Sequence, residues 1–113
     1  AITATADGTG TGTIPQGGFY TPSSTDNAHI VILPAAVAGT VVYLNSEGEA
    51  SQAYELRSAS PAAVAINGGT GSNAESAIAA GTALVRCVCV ANDKWICTQY
   101  ANDGTEAKVE AAA

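Results

Sequence analysis

The sequence predicts an all-β fold: a small, single-domain antiparallel β-sandwich or β-barrel with extended N- and C-terminal arms. Its 113 residues suit one hydrophobic core. The chain is 47% hydrophobic but only 5% aromatic and contains 12 glycines, a composition typical of short strands joined by tight turns. Its apolar runs are also short and separated by turn residues at close intervals, as in sandwiches and barrels.

Four short apolar runs mark strands of the predicted core, which spans residues 19–104. They are HIVIL (29–33), TVVYL (40–44), YELRS (54–58) and VAI (64–66). Glycines in the segment 67–73 (NGGTGSN) predict a loop, because glycine permits positive φ. The segment 74–80 (AESAIAA) is either a single helical turn or a short strand carrying Ile78, since it is too short for a stable helix.

Residues 82–100 predict a β-hairpin. Two apolar runs, ALVRCVCVA and KWICTQY, flank a two-residue turn at 92–93. This turn places Val88 opposite Cys97. Both sides of the hairpin are then apolar near the turn, so we expect its own interior to cover one side and another sheet, arm or subunit to cover the other.

The three cysteines all lie in this hairpin. In the predicted register, Cys97 lies on the opposite side from Cys87 and Cys89, and two cysteines two apart on one strand do not bridge without distortion. A three-residue loop would instead pair Cys97 with Cys89, which leaves one disulfide as an alternative. A zinc site lacks a fourth ligand unless His29 supplies it. We therefore predict buried, reduced thiols that pack as small hydrophobic groups.

The candidates for catalysis or cofactor binding are few. His29 is the only histidine, and no G-x-S-x-G pattern accompanies it, so we interpret it as a polar residue near a strand end rather than a catalytic base. The glycine-rich segments GTGTGT and NGGTGSN lack the Lys-Ser/Thr of a phosphate-binding loop. The sequence therefore predicts no enzyme activity and no cofactor.

Acidic residues in predicted turns raise the question of a metal site. Glu47 with Glu49, and Asp103 with Glu106, are spaced so that they could ligate calcium. Neither pair fits an EF-hand loop. We interpret them as solvated turn residues and expect no bound metal.

The charge pattern excludes several classes of partner. The formal net charge is −6, and the four basic residues are dispersed along the sequence, which argues against nucleic-acid binding. There is no apolar run of about 18 residues and no basic segment followed by an apolar one, so we expect neither a membrane span nor a signal peptide.

The two ends of the chain have the composition of exposed segments. Residues 1–18 contain a Gly-Thr alternation, and Gly weakens strands. We predict an extended arm that adds a strand to a neighbouring subunit; a loose terminus or an ordinary edge strand are the alternatives. Residues 105–113 form a predicted tail, which either pairs as a strand through Ala107, Val109 and Ala111 or frays.

Several segments together resemble a known class of protein. They are PAAVAGTVVYLN, YELRS, SPAAVAINGGTGSNAESAIAAGT, the hairpin containing KW, and DGT. From about Thr21 onward the chain resembles small virion proteins of tailed bacteriophages, especially the head decoration or cement proteins of phages that infect cyanobacteria and other aquatic bacteria. The resemblance is a loose pattern of strands, turns and an INGG loop, and similar modules occur in tail fibres.

This resemblance implies a structural role. It implies a β-sandwich or β-barrel homotrimer, made in the bacterial host cytoplasm, that sits on the outer capsid surface at local three-fold positions and clamps adjoining major capsid proteins. No nucleic acid, membrane or small-molecule substrate is expected as a partner. The alternative is a tail-fibre or head-fibre module that binds the host surface.

Five residues are predicted to contact partners, by position along the chain. Ile2 and Ile14 belong to the N-terminal arm and Val109 to the tail. Phe19 and Tyr20 are aromatic anchors, because aromatic residues concentrate binding energy at interfaces. Ordinary core packing is the alternative for both aromatic residues.

Overall fold

The computed structural model describes residues 1–45, 53–69 and 75–109, and it confirms an all-β fold in one compact domain. A short 3-10 helix at Gly10–Gly12 precedes the strands. The strands are β1 (Gly18–Tyr20), β2 (Ile30–Ile32), β3 (Val41–Asn45), β4 (Tyr54–Arg57), β5 (Ala65–Ile66), β6 (Glu75–Ile78), β7 (Leu84–Ala91), β8 (Lys94–Tyr100) and β9 (Glu106–Lys108). In these ranges no helix has the length and hydropathy needed to cross a bilayer.

The strands form two sheets. The larger sheet has the order β1-β3-β7-β8-β5, with β9 also paired to β8, and the smaller has the order β2-β4-β6. Three pairs, β1–β3, β2–β4 and β5–β8, are parallel, so the architecture is mixed rather than purely antiparallel as expected. After β1, the chain forms β2 in the smaller sheet and then comes back to the larger sheet as β3. A crossover connection of this kind places β3 parallel to β1.

One hydrophobic core lies between the sheets. The larger sheet contributes alternate residues such as Val42 and Cys87, and the smaller sheet contributes Val31 and Leu56. Trp95 and Tyr54 are the largest fully buried side chains. Since both sheets supply the same cluster, the arrangement is a two-layer β-fold.

The N-terminal segment is not a projecting arm, which corrects the prediction for residues 1–18. The N–H of Ile30 donates to the carbonyl of Thr5 over 2.7 Å, and the N–H of Ile14 donates to the carbonyl of Ile32 over 2.9 Å. Ile2 and Ile14 are buried in the common core. Their apolar side chains are already buried within the chain. The segment therefore gains no further apolar burial by extending toward a neighbouring subunit.

The C-terminal tail is also part of the fold, as far as Val109. Strand β9 pairs antiparallel with β8, so the strand alternative for the tail applies rather than fraying. The N–H of Val109 donates to the carbonyl of Cys97 over 3.1 Å, and the Val109 side chain is fully buried. Residues 110–113, with Ala111 of the predicted alternation, lie outside the described residues.

The predicted hairpin is confirmed, but its register differs by one residue. Strands β7 and β8 join at the expected two-residue turn, and a β-bulge between Cys89 and Ala91 then shifts the pairing, so that Cys97 lies opposite Cys87. The Cys89 thiol donates to the carbonyl of Ala91 over 3.0 Å, a contact inside the bulge. One extra residue on β7 moves every later partner of β8 by one position.

The other predicted elements agree with the structure where it describes them. The four short apolar runs correspond to β2, β3, β4 and β5. Within the ambiguous segment 74–80, Glu75–Ile78 forms a strand, β6, rather than a helical turn. In the predicted loop, Asn67 has φ 51° and Gly68 has φ 87°, while residues 70–73 lie outside the described residues.

Candidate functional site

The side of the larger sheet that faces away from the core carries a continuous row of exposed or partly exposed side chains. Pairing of neighbouring strands places Phe19 beside Tyr43, Tyr43 beside Arg86, Arg86 beside Thr98, and Thr98 beside Lys108. We call these five residues the outer row. Because paired strands lie about 4.8 Å apart, the row is about 19 Å wide.

A second, shorter row lies beside it on the same side of the sheet. Val41 pairs with Val88, and Val88 pairs with Ile96. Ile96 is 48% exposed and Phe19 in the outer row is 63% exposed. The two rows together, which we call the outer face, therefore expose large apolar side chains beside polar and charged ones, and exposed apolar side chains of this kind mark interaction sites.

Strand sequences that are apolar at nearly every position produce this face. In β3, Val42 and Leu44 point into the core, and Val41 and Tyr43 alternate with them on the outside. Successive side chains on a strand point to opposite sides. A strand with apolar residues at odd and even positions is therefore apolar on both surfaces, and the fold covers only one of them.

The basic residues cluster on this same face. Arg86 and Lys108 belong to the outer row, and Lys94 lies two residues before Ile96 on β8, hence on the same side. Three of the four basic residues of the chain thus share one surface, although the net charge is −6. Arg57 lies in β4 of the other sheet.

Carboxylates near the three cations are few in the described ranges. Glu106 lies two residues before Lys108 on β9 and so shares its side of the strand. Arg86, Lys94 and Lys108 form no ion pair with any carboxylate of residues 1–45, 53–69 or 75–109. Among the described residues, the outer face thus carries three cations and Glu106, with Asp93 next to Lys94 in the turn, and this net positive charge suits a partner of opposite charge.

The structure separates the five residues predicted to contact partners. Ile2, Ile14 and Val109 are buried in the chain's own core, so we correct their assignment: they have little apolar surface left for a partner. Phe19 lies on the outer row. Tyr20 packs against the core, and its hydroxyl donates to the carbonyl of Gln16 over 2.8 Å.

Sequence reasoning missed most of the outer face. It recognised that the hairpin is apolar on both sides, which was a valid signal. With the register displaced by the bulge, it placed Cys97 rather than Ile96 opposite Val88. It also could not pair Tyr43 with Phe19, because their strands are adjacent only through a crossover.

His29, the residue considered as a catalytic base, lies directly before β2. Its Nδ1 is buried and has no hydrogen-bond partner in the part of the chain that the structure describes. A Ser-His-Asp arrangement needs a carboxylate at one ring nitrogen and a hydroxyl at the other. The backbone of His29 is held by the N–H of Glu55, which donates to its carbonyl over 2.8 Å.

The cysteines and acidic residues form no metal centre in the described ranges, where no three His, Cys, Asp or Glu side chains come together. Hydrogen bonds from Thr105 lower the pKa of Asp103, and the backbone N–H of Thr105 donates to its carboxylate over 2.9 Å. Asp103 is thus occupied within its own turn. Glu47 and Glu49 lie outside the described residues.

A shallow hollow of about 300 Å³ lies between residues 79–82 and the segments at the end of β8 and the start of β9. It is lined mainly by small residues, and its polar side chains are Thr82, Gln99, Tyr100 and Thr105. The Thr82 hydroxyl donates to the carbonyl of Ala79 over 2.7 Å. The lining carries no charged side chain, so the hollow lacks the charged anchor of many ligand sites.

Comparison of the chain with protein-family models, with curated proteins and with solved structures found no match. Among the described surfaces of the chain, the outer face has the clearest chemical character, because it combines exposed apolar side chains with three cations.

Proposed function

We propose that this chain is a structural virion protein, a capsid decoration or cement protein that binds the outside of a phage head and stabilises contacts between major capsid proteins. The observation that carries the proposal is the outer face: exposed apolar side chains and three of the four basic residues lie on one surface of a chain whose net charge is −6. The sequence resemblance to phage decoration proteins supports the same role.

The outer face suits docking onto a large, preformed surface. Phe19 and Ile96 offer apolar area, and Arg86 and Lys108 offer charge that orients the approach. All four are carried by paired strands, which hold their backbone positions fixed relative to one another. The complementary surface on the shell would be apolar where it meets Phe19 and Ile96 and acidic opposite Arg86 and Lys108.

The same charges disfavour pairing of two copies face to face. A two-fold contact uses the same patch on both copies, so the cationic outer face of one copy would meet that of the other. Like charges at an interface are destabilising. In the proposed homotrimer, the copies therefore contact one another through other surfaces, and the outer face is left for the shell.

Cement function follows from thermodynamic linkage and needs no catalytic group. A protein that binds only the intact shell stabilises it, because unbinding must precede shell disruption. The first test is the copy number and position of the protein in purified particles, by quantitative gel and electron cryo-microscopy. Hundreds of copies as trimers over the head would support the proposal. A few copies at the tail would contradict it and favour the fibre alternative.

A charge reversal tests the role of the outer face. We expect Arg86→Glu to weaken binding to particles stripped of the protein by about tenfold or more, because it places a carboxylate opposite an acidic shell surface. Ala59→Glu, at an exposed position in the loop after β4, is the control and should bind normally. Equal binding of both variants would show that the shell contacts another surface.

A further inference from the structure

Two of the three cysteines face each other across the hairpin. Cys87 on β7 and Cys97 on β8 are directly opposite in the pairing, and both are free and buried. The bulge before the turn creates this juxtaposition. Without it, the two side chains would lie on opposite sides of the hairpin.

The backbone groups of Cys97 point away from β7. Its N–H donates to the Oδ1 of Asn67 over 2.9 Å, and its carbonyl accepts the N–H of Val109 over 3.1 Å. Both partners lie on the far side of β8. Cys97 therefore uses neither of its backbone groups to bond Cys87.

The backbone of β7 shows the same arrangement. Cys89 donates its N–H to the carbonyl of Thr40 and accepts the N–H of Gly39, each over 2.8 Å. Alternate residues of a strand bond the same neighbour, so Cys87 also turns its backbone groups toward β3. Cys87 and Cys97 are thus a non-hydrogen-bonded antiparallel pair, in which Cα atoms lie about 4.5 Å apart.

We propose that Cys87 and Cys97 are a disulfide site: they form a reversible cross-strand disulfide when the chain meets an oxidant of the disulfide class. A Cα separation of about 4.5 Å lies within the range of roughly 4.4–6.8 Å that disulfides use. Cys89 lies two residues farther along β7, on the same side, but its direct partner is Trp95. It is left as the free thiol.

The reaction balances with oxidised glutathione as the co-reactant. One cysteine thiolate attacks the glutathione disulfide and releases one glutathione thiolate; the second cysteine sulfur then displaces the other glutathione. One S–S bond is formed and one is broken, and the two thiol protons pass to the two released glutathione sulfurs. The cysteines are oxidised and glutathione is reduced.

Burial governs when this reaction takes place. A hydrogen bond with Cys97, followed by burial, raises the pKa of the Cys87 thiol, and the thiolate is the attacking species. We expect slow oxidation of the folded protein and fast oxidation when the two sheets separate. Once formed, the bond fixes the bulged register that presents Val88 and Ile96 on the outer face.

The test uses oxidised glutathione with the full chain and its Cys89→Ala variant, partly unfolded in urea and then refolded. Trypsin cuts after Arg86 and Lys94 and releases the fragments 87–94 and 95–108, which the proposed bond joins. In Cys89→Ala only Cys87 can make this link. We expect both proteins to lose two hydrogen atoms, yield the joined fragments, and gain about 10 °C in Tm that dithiothreitol reverses.

Other products would overturn the proposal. A bond within fragment 87–94 would join Cys87 to Cys89 instead, and glutathione adducts without joined fragments in Cys89→Ala would show that Cys87 and Cys97 cannot approach. A lower Tm after oxidation would show that the bond distorts the hairpin. Cys97→Ser is the negative control, because it removes the required partner, and none of these readouts depends on the capsid role.

Discussion

The two sheets of this protein differ in what covers their outer sides. In the smaller sheet, Ile30 points away from the shared core yet is only 5% exposed, because the N-terminal segment packs over it with Gly8 in contact. In the larger sheet, Ile96 is 48% exposed. Among the described residues, the chain covers β2 of the smaller sheet with its own N-terminal segment and leaves Ile96 and Phe19 of the larger sheet exposed, so the larger sheet offers the surface for a partner.

The cover of the smaller sheet depends on a close approach. Gly8 has φ +79°, and a Cβ at this position would lie 2.5 Å from Cγ1 of Ile32 and 2.9 Å from Cγ2 of Ile30. Non-bonded contacts of a Cβ atom are essentially never this short, so the isoleucine side chains or the backbone would have to shift. Only glycine lets the backbone lie directly on these isoleucines.

The largest expected effect is a difference in unfolding free energy between substitutions on the inner and outer sides of the larger sheet. Trp95 and Ile96 are neighbours on β8, the first fully buried and the second half-exposed. Trp95→Ala should lower the free energy of unfolding by about 3–5 kcal/mol, because it opens a cavity in the core. Ile96→Ala should cost less than about 1 kcal/mol. Urea unfolding measures both, and equal losses would mean that the outer face is not a surface.

A second, smaller effect tests how the smaller sheet is covered. Gly8→Ala should destabilise by about 2–3 kcal/mol, from the left-handed backbone and the collision with Ile32. Gly10 is the matched control: its φ is +65°, but a Cβ there meets nothing within 4 Å. Gly10→Ala should therefore cost only about 1 kcal/mol. If Gly8→Ala and Gly10→Ala lower the free energy of unfolding equally, the N-terminal segment does not pack tightly against Ile32.

The smallest expected effect is a change in the pH dependence of stability, and it concerns the turn at Asp7 in the N-terminal segment. The Asp7 carboxylate accepts the Thr9 hydroxyl over 2.7 Å and the Thr9 N–H over 3.0 Å, and these bonds lower its pKa below the ordinary 3.8. The stabilisation is complete above pH 3.8 and is lost as pH falls through the lowered pKa. Asp7→Asn should therefore flatten the fall of Tm between pH 4 and pH 2. If Tm falls as steeply with pH in Asp7→Asn as in the unchanged protein, the Asp7 carboxylate does not contribute to the loss of stability in acid.

Local patterns in the sequence were sufficient for the strands and the hairpin turn. Alternating apolar residues and turn signals act between near neighbours, so they predict β2 to β5 and the turn at 92–93 without knowledge of the rest of the chain. The bulge was not predictable in this way. It depends on local contacts of Cys89 and Ala91 that no residue pattern marks.

The ends of the chain show a different limit. Residues 1–18 have the composition of an exposed arm, yet Ile2 and Ile14 are buried in the core. Gly-rich sequence permits an extended backbone but does not state which surface it meets. The docking of this segment depends on Ile30 and Ile32, which come later in the chain and form bridges with Thr5 and Thr13.

By itself, the sequence determined that this protein is a small, acidic, all-β domain whose hairpin is apolar on both sides, since composition and alternation act locally. Only the tertiary structure decided which apolar side is open, because burial depends on what packs from distant parts of the chain. It also gathered Arg86, Lys94 and Lys108 on one face and set Cys87 opposite Cys97. Strand pairing sets both arrangements, and a single inserted residue in a strand changes them.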